Sequence, residues 1–436
     1  MLPLIRHPLL RTVLSAITIA LSTDITLFPR LLANPKSTLR VDSAFEGGSA
    51  KNVSINQTTR TIDFMPGGNP SRGWPCWWFF RLDGVSPGES ITLNLRASDA
   101  TVNEPGRSLN KPLAPAWAMP NQATYSTDQK TWHPTEKGIR DGERMTYTFT
   151  PSSPTVWVAW GPPYTPSFAQ DFISQITKDR NDAKAEELCK SREGRSVPML
   201  TIRQGSKPDQ KRFGVWAHAR QHAWESGSSW VAQGFAEWIL ADTPEAIWLR
   251  ENAEIFIVPV MDVDNVATGN GGKDAIPHDH NRDWSTEPHW NETRAAQAKV
   301  RHLTEQGRMD LFLDLHNPSP NDPTFFYALH KEMLPEPAQT LRDRFIEISY
   351  SRISTGKPFI PMSNRPKFTG PEYHPLWRQI SANWVSVNAN PHTVAICLET
   401  IWNYPNSNPE GYRSVGARLA QSAREYLSEL PQRSTN

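Results

Sequence analysis

The chain has 436 residues, 38% of them apolar and 21% charged, a globular composition that excludes both a single small module and a disordered polymer. Its 46 lysines and arginines against 45 aspartates and glutamates leave a net charge of +1, which excludes a global field for nucleic acid or an anionic membrane. Three cysteines, Cys76, Cys189 and Cys397, cannot all pair and have neither zinc-knuckle nor CxxC spacing, so disulfides do not hold this fold together.

In chain order, residues 1–36 come first. Arg6, His7 and Arg11 precede the apolar run 13–21, and Ala20-Leu21-Ser22 offers small residues at cleavage spacing. That pattern predicts a leader and an exported protein, periplasmic or extracellular, with a frayed cytosolic N-terminus as the alternative. The run is too short to span a bilayer, and no later stretch is apolar enough, so stable membrane insertion is not expected. From residue 39 to 164 short alternating runs at 77–82, 90–95, 146–150 and 155–160 are separated by Gly, Pro, Asp and Ser. They predict an antiparallel β-sandwich over 37–165. Its tryptophans, among them Trp74, Trp77, Trp78, Trp117, Trp132, Trp157 and Trp160, read as core and interdomain filling, with stacking on sugar or peptide as the alternative.

After the Pro-rich stretch 161–166 the texture changes. Apolar strands at 199–203, 213–219, 255–260, 311–315, 324–329 and 393–398 alternate with amphipathic helices at 229–240, 293–306, 337–349, 375–387 and 411–427. The second domain, 166–436, is therefore expected to be α/β, a mixed sheet covered by helices on both faces. Segment 261–265 reads as an extension of the 255–260 strand.

Three constellations carry chemistry. His222-Ala223-Trp224-Glu225 follows the 213–219 strand, and His316 ends the 311–315 strand. Two ligands three residues apart, joined by a histidine from another strand end, give the two-His-one-Glu set of a catalytic zinc site with a position left for water; taken alone, such a pair can also merely cap a helix. Asp279-His280-Asn281-Arg282-Asp283-Trp284 lies in a loop, where an Asn beside an Arg can grip one carboxylate; taken alone, Arg282 reads more simply as a solvated loop residue. Glu399 ends an apolar strand, where α/β active sites form, although a helix-cap or salt-bridge role is open to it. His218 reads as structural; His278, His280, His289, His330 and His392 read as surface or loop residues.

Together these residues resemble the zinc carboxypeptidase family, in the order H-x-x-E, Asn-Arg, His, then Glu near the chain end. Upstream, Trp77-Trp78-Phe79-Phe80-Arg81-Leu82 and Val158-Ala159-Trp160-Gly161-Pro162-Pro163-Tyr164-Thr165 are similar to the β-sandwich of the cytosolic-carboxypeptidase branch. The resemblance implies one zinc on His222, Glu225 and His316, a grip on the substrate's terminal carboxylate by Asn281 and Arg282, and Glu399 as general base. The implied function is zinc-dependent removal of the C-terminal residue of peptides or proteins by metal-activated water. Alternatives are a related zinc amidohydrolase acting on acylated amino acids or cell-wall peptides, and an inactive peptide- or glycan-binding homologue.

Two departures stand out. The family's oxyanion arginine falls in G-N-x-R, whereas Gly269-Asn270-Gly271-Gly272-Lys273 has Gly at that position and Lys one later; Lys273 is the candidate substitute. Asn317-Pro318 follows the third ligand where the family often has Ser-Tyr or Gly-His. Tyr373 is the nearest candidate for the family's mobile active-site tyrosine. Neither a phosphate-binding G-x-x-x-x-G-K-[ST] loop nor G-x-G-x-x-G is present, so no nucleotide or nucleic-acid partner is expected.

Overall fold

Alternation of apolar and polar residues builds the first half of the chain. In Ile91–Arg96 the residues Ile91, Leu93 and Leu95 are buried while those between them face outward, and Arg144–Phe149 repeats the pattern with Met145, Tyr147 and Phe149. The computed structural model describes residues 37–104 and 107–431; the leader reading of residues 1–36 falls outside them. One five-stranded sheet runs Arg40–Asp42, Phe79–Asp83, Thr155–Ala159, Thr124–Ser126, His133–Pro134; the other runs Ile139–Asp141, Arg144–Phe149, Ile91–Arg96, Thr61–Met65, Lys51–Asn56. Pairing is antiparallel except between Thr61–Met65 and Ile91–Arg96, which are parallel. Apolar residues of both sheets share one core around Trp78, whose indole Nε1 donates to the Ala118 carbonyl at 3.0 Å.

The second half is a mixed eight-stranded sheet in the order Ala183–Lys190, Ser196–Ile202, Ala253–Val258, Phe213–Ala219, Met309–His316, Val394–Glu399, Phe325–Leu329, Lys367–Thr369. Its four central strands are mutually parallel. Every residue of Phe213–Ala219 and Met309–His316 is buried, as expected of parallel strands covered on both faces. Helices Ser226–Ile239, Glu336–Ser354 and Pro409–Glu429 pack against one another beside the sheet, and Pro166–Thr177 and Asn291–Glu305 pack against its Ala183–Lys190 edge.

Some elements differ from expectation for local reasons. Segment 261–265 does not prolong a strand: Asp262 accepts from the Asn265 N–H at 3.1 Å and caps the short helix Val263–Ala267. The helix expected at 375–387 is a 3₁₀ turn, Trp377–Gln379, followed by Ser381–Asn388, because Ile380 is extended between them. Pro166–Thr177 and Pro244–Asn252 were not expected, yet each has a threonine cap followed by proline, Thr165 and Thr243 accepting from the backbone three residues on. Strand Ala183–Lys190 lies at the sheet edge and is largely solvated, so its sequence has no apolar run to betray it. His280, expected to be a surface or loop residue, is 2% exposed in the turn His280–Arg282: it stacks on Trp290, with Asp262 and Glu292 flanking its two ring nitrogens at 3.7 and 3.6 Å.

Tryptophans fill the seam between the halves. Trp160 of the sandwich meets Trp402 at 4.4 Å and Trp224 at 5.4 Å between ring centroids, and Trp117 meets Trp224 at 5.6 Å.

Candidate active site

The turn after strand Phe213–Ala219 is held by a buried cation. Arg220, in the left-handed region at φ 66°, donates through Nε to the Ala223 carbonyl at 2.6 Å and through Nη1 to the Tyr164 carbonyl at 3.0 Å. This fixes His222 and sets Glu225 at the N-terminus of helix Ser226–Ile239. His316 ends its strand opposite Glu399 in the neighbouring parallel strand. Asn317 ties the two strand ends to the helix, accepting from the Ser228 N–H at 3.1 Å and donating to the Thr400 carbonyl at 2.6 Å.

The three residues converge. His222 Nδ1 lies 2.8 Å from Glu225 Oε1 and His316 Nδ1 2.6 Å from Glu225 Oε2, with all three ligand atoms within 4.8 Å of one another. Behind the rings, His316 Nε2 is 2.8 Å from Asp314 Oδ1, and His222 Nε2 faces Asp279 Oδ1 at 3.5 Å, an ion-pair distance longer than a formed hydrogen bond. Asp314 also accepts from Gln221 Nε2 at 3.0 Å and from Ser381 Oγ at 2.5 Å, and lies 3.0 Å from His218 Nε2. Carboxylates at Nε2 leave the Nδ1 lone pairs directed at the Glu225 carboxylate. Such a convergence of donors is stable only around positive charge. Burial disfavours the His222 and His316 imidazolium forms, yet Glu225 with Asp279 and Asp314 outweighs it and raises both; burial raises Glu225, but the two histidines pull it down to about 2. The donor set, with its carboxylate-backed histidines, fits Zn²⁺.

Around these donors lies a cavity of about 290 Å³ whose walls include Arg282, Glu399, Lys273, Tyr373, Tyr327 and Trp74. A larger hollow of about 350 Å³ along Ala183–Lys190 holds none of the candidate residues, and its charges are largely paired with one another, as in Lys184 with Glu186 and Arg308 with Glu254. Glu399 is partly exposed to the cavity although its Oε2 is shielded without a hydrogen-bond partner; burial first, then Glu225, push its carboxyl up to about 7 against the pull of His316. Arg282 is 5% exposed and donates through Nη1 to the Asn281 carbonyl at 2.9 Å. Asn281 is committed elsewhere than a free grip: its Oδ1 accepts from the Ser381 N–H at 2.9 Å and its Nδ2 lies 3.1 Å from His316 Nε2. Lys273 Nζ is held by Asp274 Oδ1 at 2.9 Å and Asp279 Oδ2 at 3.2 Å. Tyr373 packs against Tyr327, ring centroids 5.4 Å apart.

Sequence reasoning gave no role to Asp279, Asp314, Tyr327 or Trp74. Asp279 and Asp314 each lie two residues from a candidate, Asn281 and His316, and that spacing is the signal that could have found them. Trp74 reads as filling, with stacking on sugar or peptide as the alternative, because nothing local ties it to Asp274, 200 residues away.

Residues 41–160 match the profile of the cytosolic carboxypeptidase N-terminal domain, and residues 170–319 match that of the zinc carboxypeptidases. An uncharacterised protein of Zymomonas mobilis is 27% identical over 281 residues, covering 64% of this chain and 67% of its own. Mouse cytosolic carboxypeptidase 3 is 26% identical over 270 residues, 58% of this chain and 26% of the mouse protein. The chain thus matches only about a quarter of that relative's length. Among solved structures, a metallo-carboxypeptidase from Burkholderia cenocepacia superposes with a TM-score of 0.72 at 21% identity, covering 90% of this chain and all of that one. A Pseudomonas aeruginosa metallo-carboxypeptidase in complex with (2-guanidinoethylmercapto)succinic acid gives 0.70 at 20% identity, covering 89% and 99%; both likenesses establish the fold.

These findings correct the expected export. The N-terminal segment matches the cytosolic carboxypeptidase N-terminal profile, and curated relatives such as the mouse and human proteins are named cytosolic carboxypeptidases, which favours the cytoplasm. The basic-then-apolar stretch behind the leader reading is a nine-residue pattern broken soon after by Asp24.

Proposed function

Because the chain carries a zinc carboxypeptidase domain behind a cytosolic carboxypeptidase N-terminal domain, we propose that it hydrolyses the last peptide bond of peptides or proteins, with residues 37–165 as the N-terminal domain and 166–436 as the catalytic one. The observation that carries this reading is the convergence of His222, Glu225 and His316 on a cavity that also contains Glu399 and Arg282. His222, Glu225 and His316 would hold zinc, which supplies a Lewis acid and an activated water.

The remaining steps belong to side chains. Arg282 binds the free carboxylate of the substrate, and its fixed place relative to the ligands selects the terminal bond. The Pseudomonas protein's ligand is a succinic acid derivative, an anion of the class Arg282 would meet here. Glu399, whose side chain lines the cavity, accepts the proton of the attacking water and returns it to the leaving amine. Asn281 braces Ser381 through its Oδ1 and holds Arg282 in place through its carbonyl. Tyr373 and Tyr327 form the wall beside the departing residue.

Digestion of a mixed peptide library, read by mass spectrometry, tests the proposal. Products one residue shorter at the C-terminus are expected, and internal fragments would contradict it.

A further inference from the structure

Two sandwich loops line the catalytic cavity, one with Trp117 and one with Trp74, and the second lies along residues 271–276. Backbone runs beside backbone there: Gly272 N donates to the Arg72 carbonyl at 3.0 Å, Trp74 N to the Lys273 carbonyl at 2.9 Å, and Ile276 N to the Ser71 carbonyl at 2.9 Å. The approach requires glycine, since a Cβ on Gly73 would fall 2.3 Å from Gly272 N. Trp74 is thereby set in the cavity wall, and its indole Nε1 donates to Asp274 Oδ2 at 2.7 Å. The other oxygen of Asp274 accepts from Lys273 Nζ at 2.9 Å, Lys273 Nζ donates on to Asp279 Oδ2 at 3.2 Å, and the Asp274 N–H donates to the same oxygen at 3.1 Å. Asp279 Oδ1 faces His222 Nε2 at 3.5 Å.

We propose that the N-terminal domain positions the metal ligand His222 through the chain Trp74, Asp274, Lys273, Asp279. The inference rests on the reading of His222 as a zinc ligand. Asp274 and Asp279 are 3% and 0% exposed, and two buried carboxylates side by side repel each other unless a cation sits between them. Lys273 is that cation. It holds Asp279 Oδ2, which orients Oδ1 toward His222 Nε2 and so turns Nδ1 toward the other ligands. Lys273 is therefore a positioning residue, its ammonium already engaged by two carboxylates and not free to take the place of the missing arginine. Trp74 completes the chain by holding the far oxygen of Asp274.

The test is zinc affinity of the full chain, measured by competition with a chromophoric chelator, alongside thermal unfolding of the zinc-free proteins. Lys273→Met should weaken zinc binding by about tenfold or more, the usual effect of losing an outer partner of a ligand. Trp74→Phe removes the indole N–H and leaves a smaller aromatic ring, and should weaken it about threefold. The double variant should bind zinc within about twofold of Lys273→Met, because both substitutions act through Asp274 and Asp279. Unchanged affinity in Lys273→Met, or losses that multiply in the double variant, would overturn the proposal. Should Lys273→Met fail to fold, Trp74→Phe decides alone, wild-type affinity overturning the proposal and weakened affinity supporting it. A wild-type chain that binds no zinc would instead overturn the proposed function on which the inference rests.

Discussion

Glu225 lies within hydrogen-bond distance of both imidazoles, and each histidine is backed by its own aspartate. Removing one donor from such a set leaves two ligands where a structural or catalytic zinc needs at least three. His316→Ala should therefore drop zinc content from about one per chain to a small fraction while the fold persists, as read by elemental analysis and circular dichroism; full occupancy would remove His316 from the ligand set. Glu399→Gln keeps the shape and removes the proton acceptor, so turnover should fall by roughly 10²–10⁴ with zinc retained. Turnover near wild type would mean another residue activates the water. The ligand candidates were legible because a two-residue gap and a strand end are written locally. Asp314 acts through space on His218, Gln221, His316 and Ser381 at once, and no local pattern announces that.

At the scale of elements, the missing arginine acquires a steric cause. Gly272, at the family's arginine position, has φ +75°, and a Cβ there would lie 2.5 Å from both Ala223 N and Asp262 Oδ2. The turn that carries His222 and the Asp262 carboxylate leave no room for a side chain. Gly272→Ala should lower unfolding stability by at least about 1–2 kcal/mol, the left-handed backbone cost before any clash is counted. Urea denaturation checks it, and an unchanged midpoint would show that the loops separate freely. Strand Phe213–Ala219 was legible to the residue because an all-buried strand reads as an apolar run, interrupted here only by His218 and bounded by Arg212 and Arg220. The edge strand Ala183–Lys190 and the break at Ile380 depend on neighbours distant in sequence, so periodicity could not locate them.

Across the whole molecule, the division into a sandwich and a mixed α/β sheet was legible from the change of texture after residues 161–166, where helix Pro166–Thr177 begins. What remained hidden was the seam, in which Trp74 lines the cavity and Trp160 and Trp117 pack on Trp224. A sandwich loop thus forms part of the wall of the proposed catalytic cavity. The most direct measurement compares one peptide with a free and with an amidated C-terminus, each incubated with zinc-loaded and with chelator-treated protein, and followed by mass spectrometry. Loss of a single C-terminal residue from the free peptide alone, abolished by chelation and restored by zinc, is the expected result, because the amide offers Arg282 no anion. Equal cleavage of both peptides, or cleavage that survives removal of the metal, would contradict it.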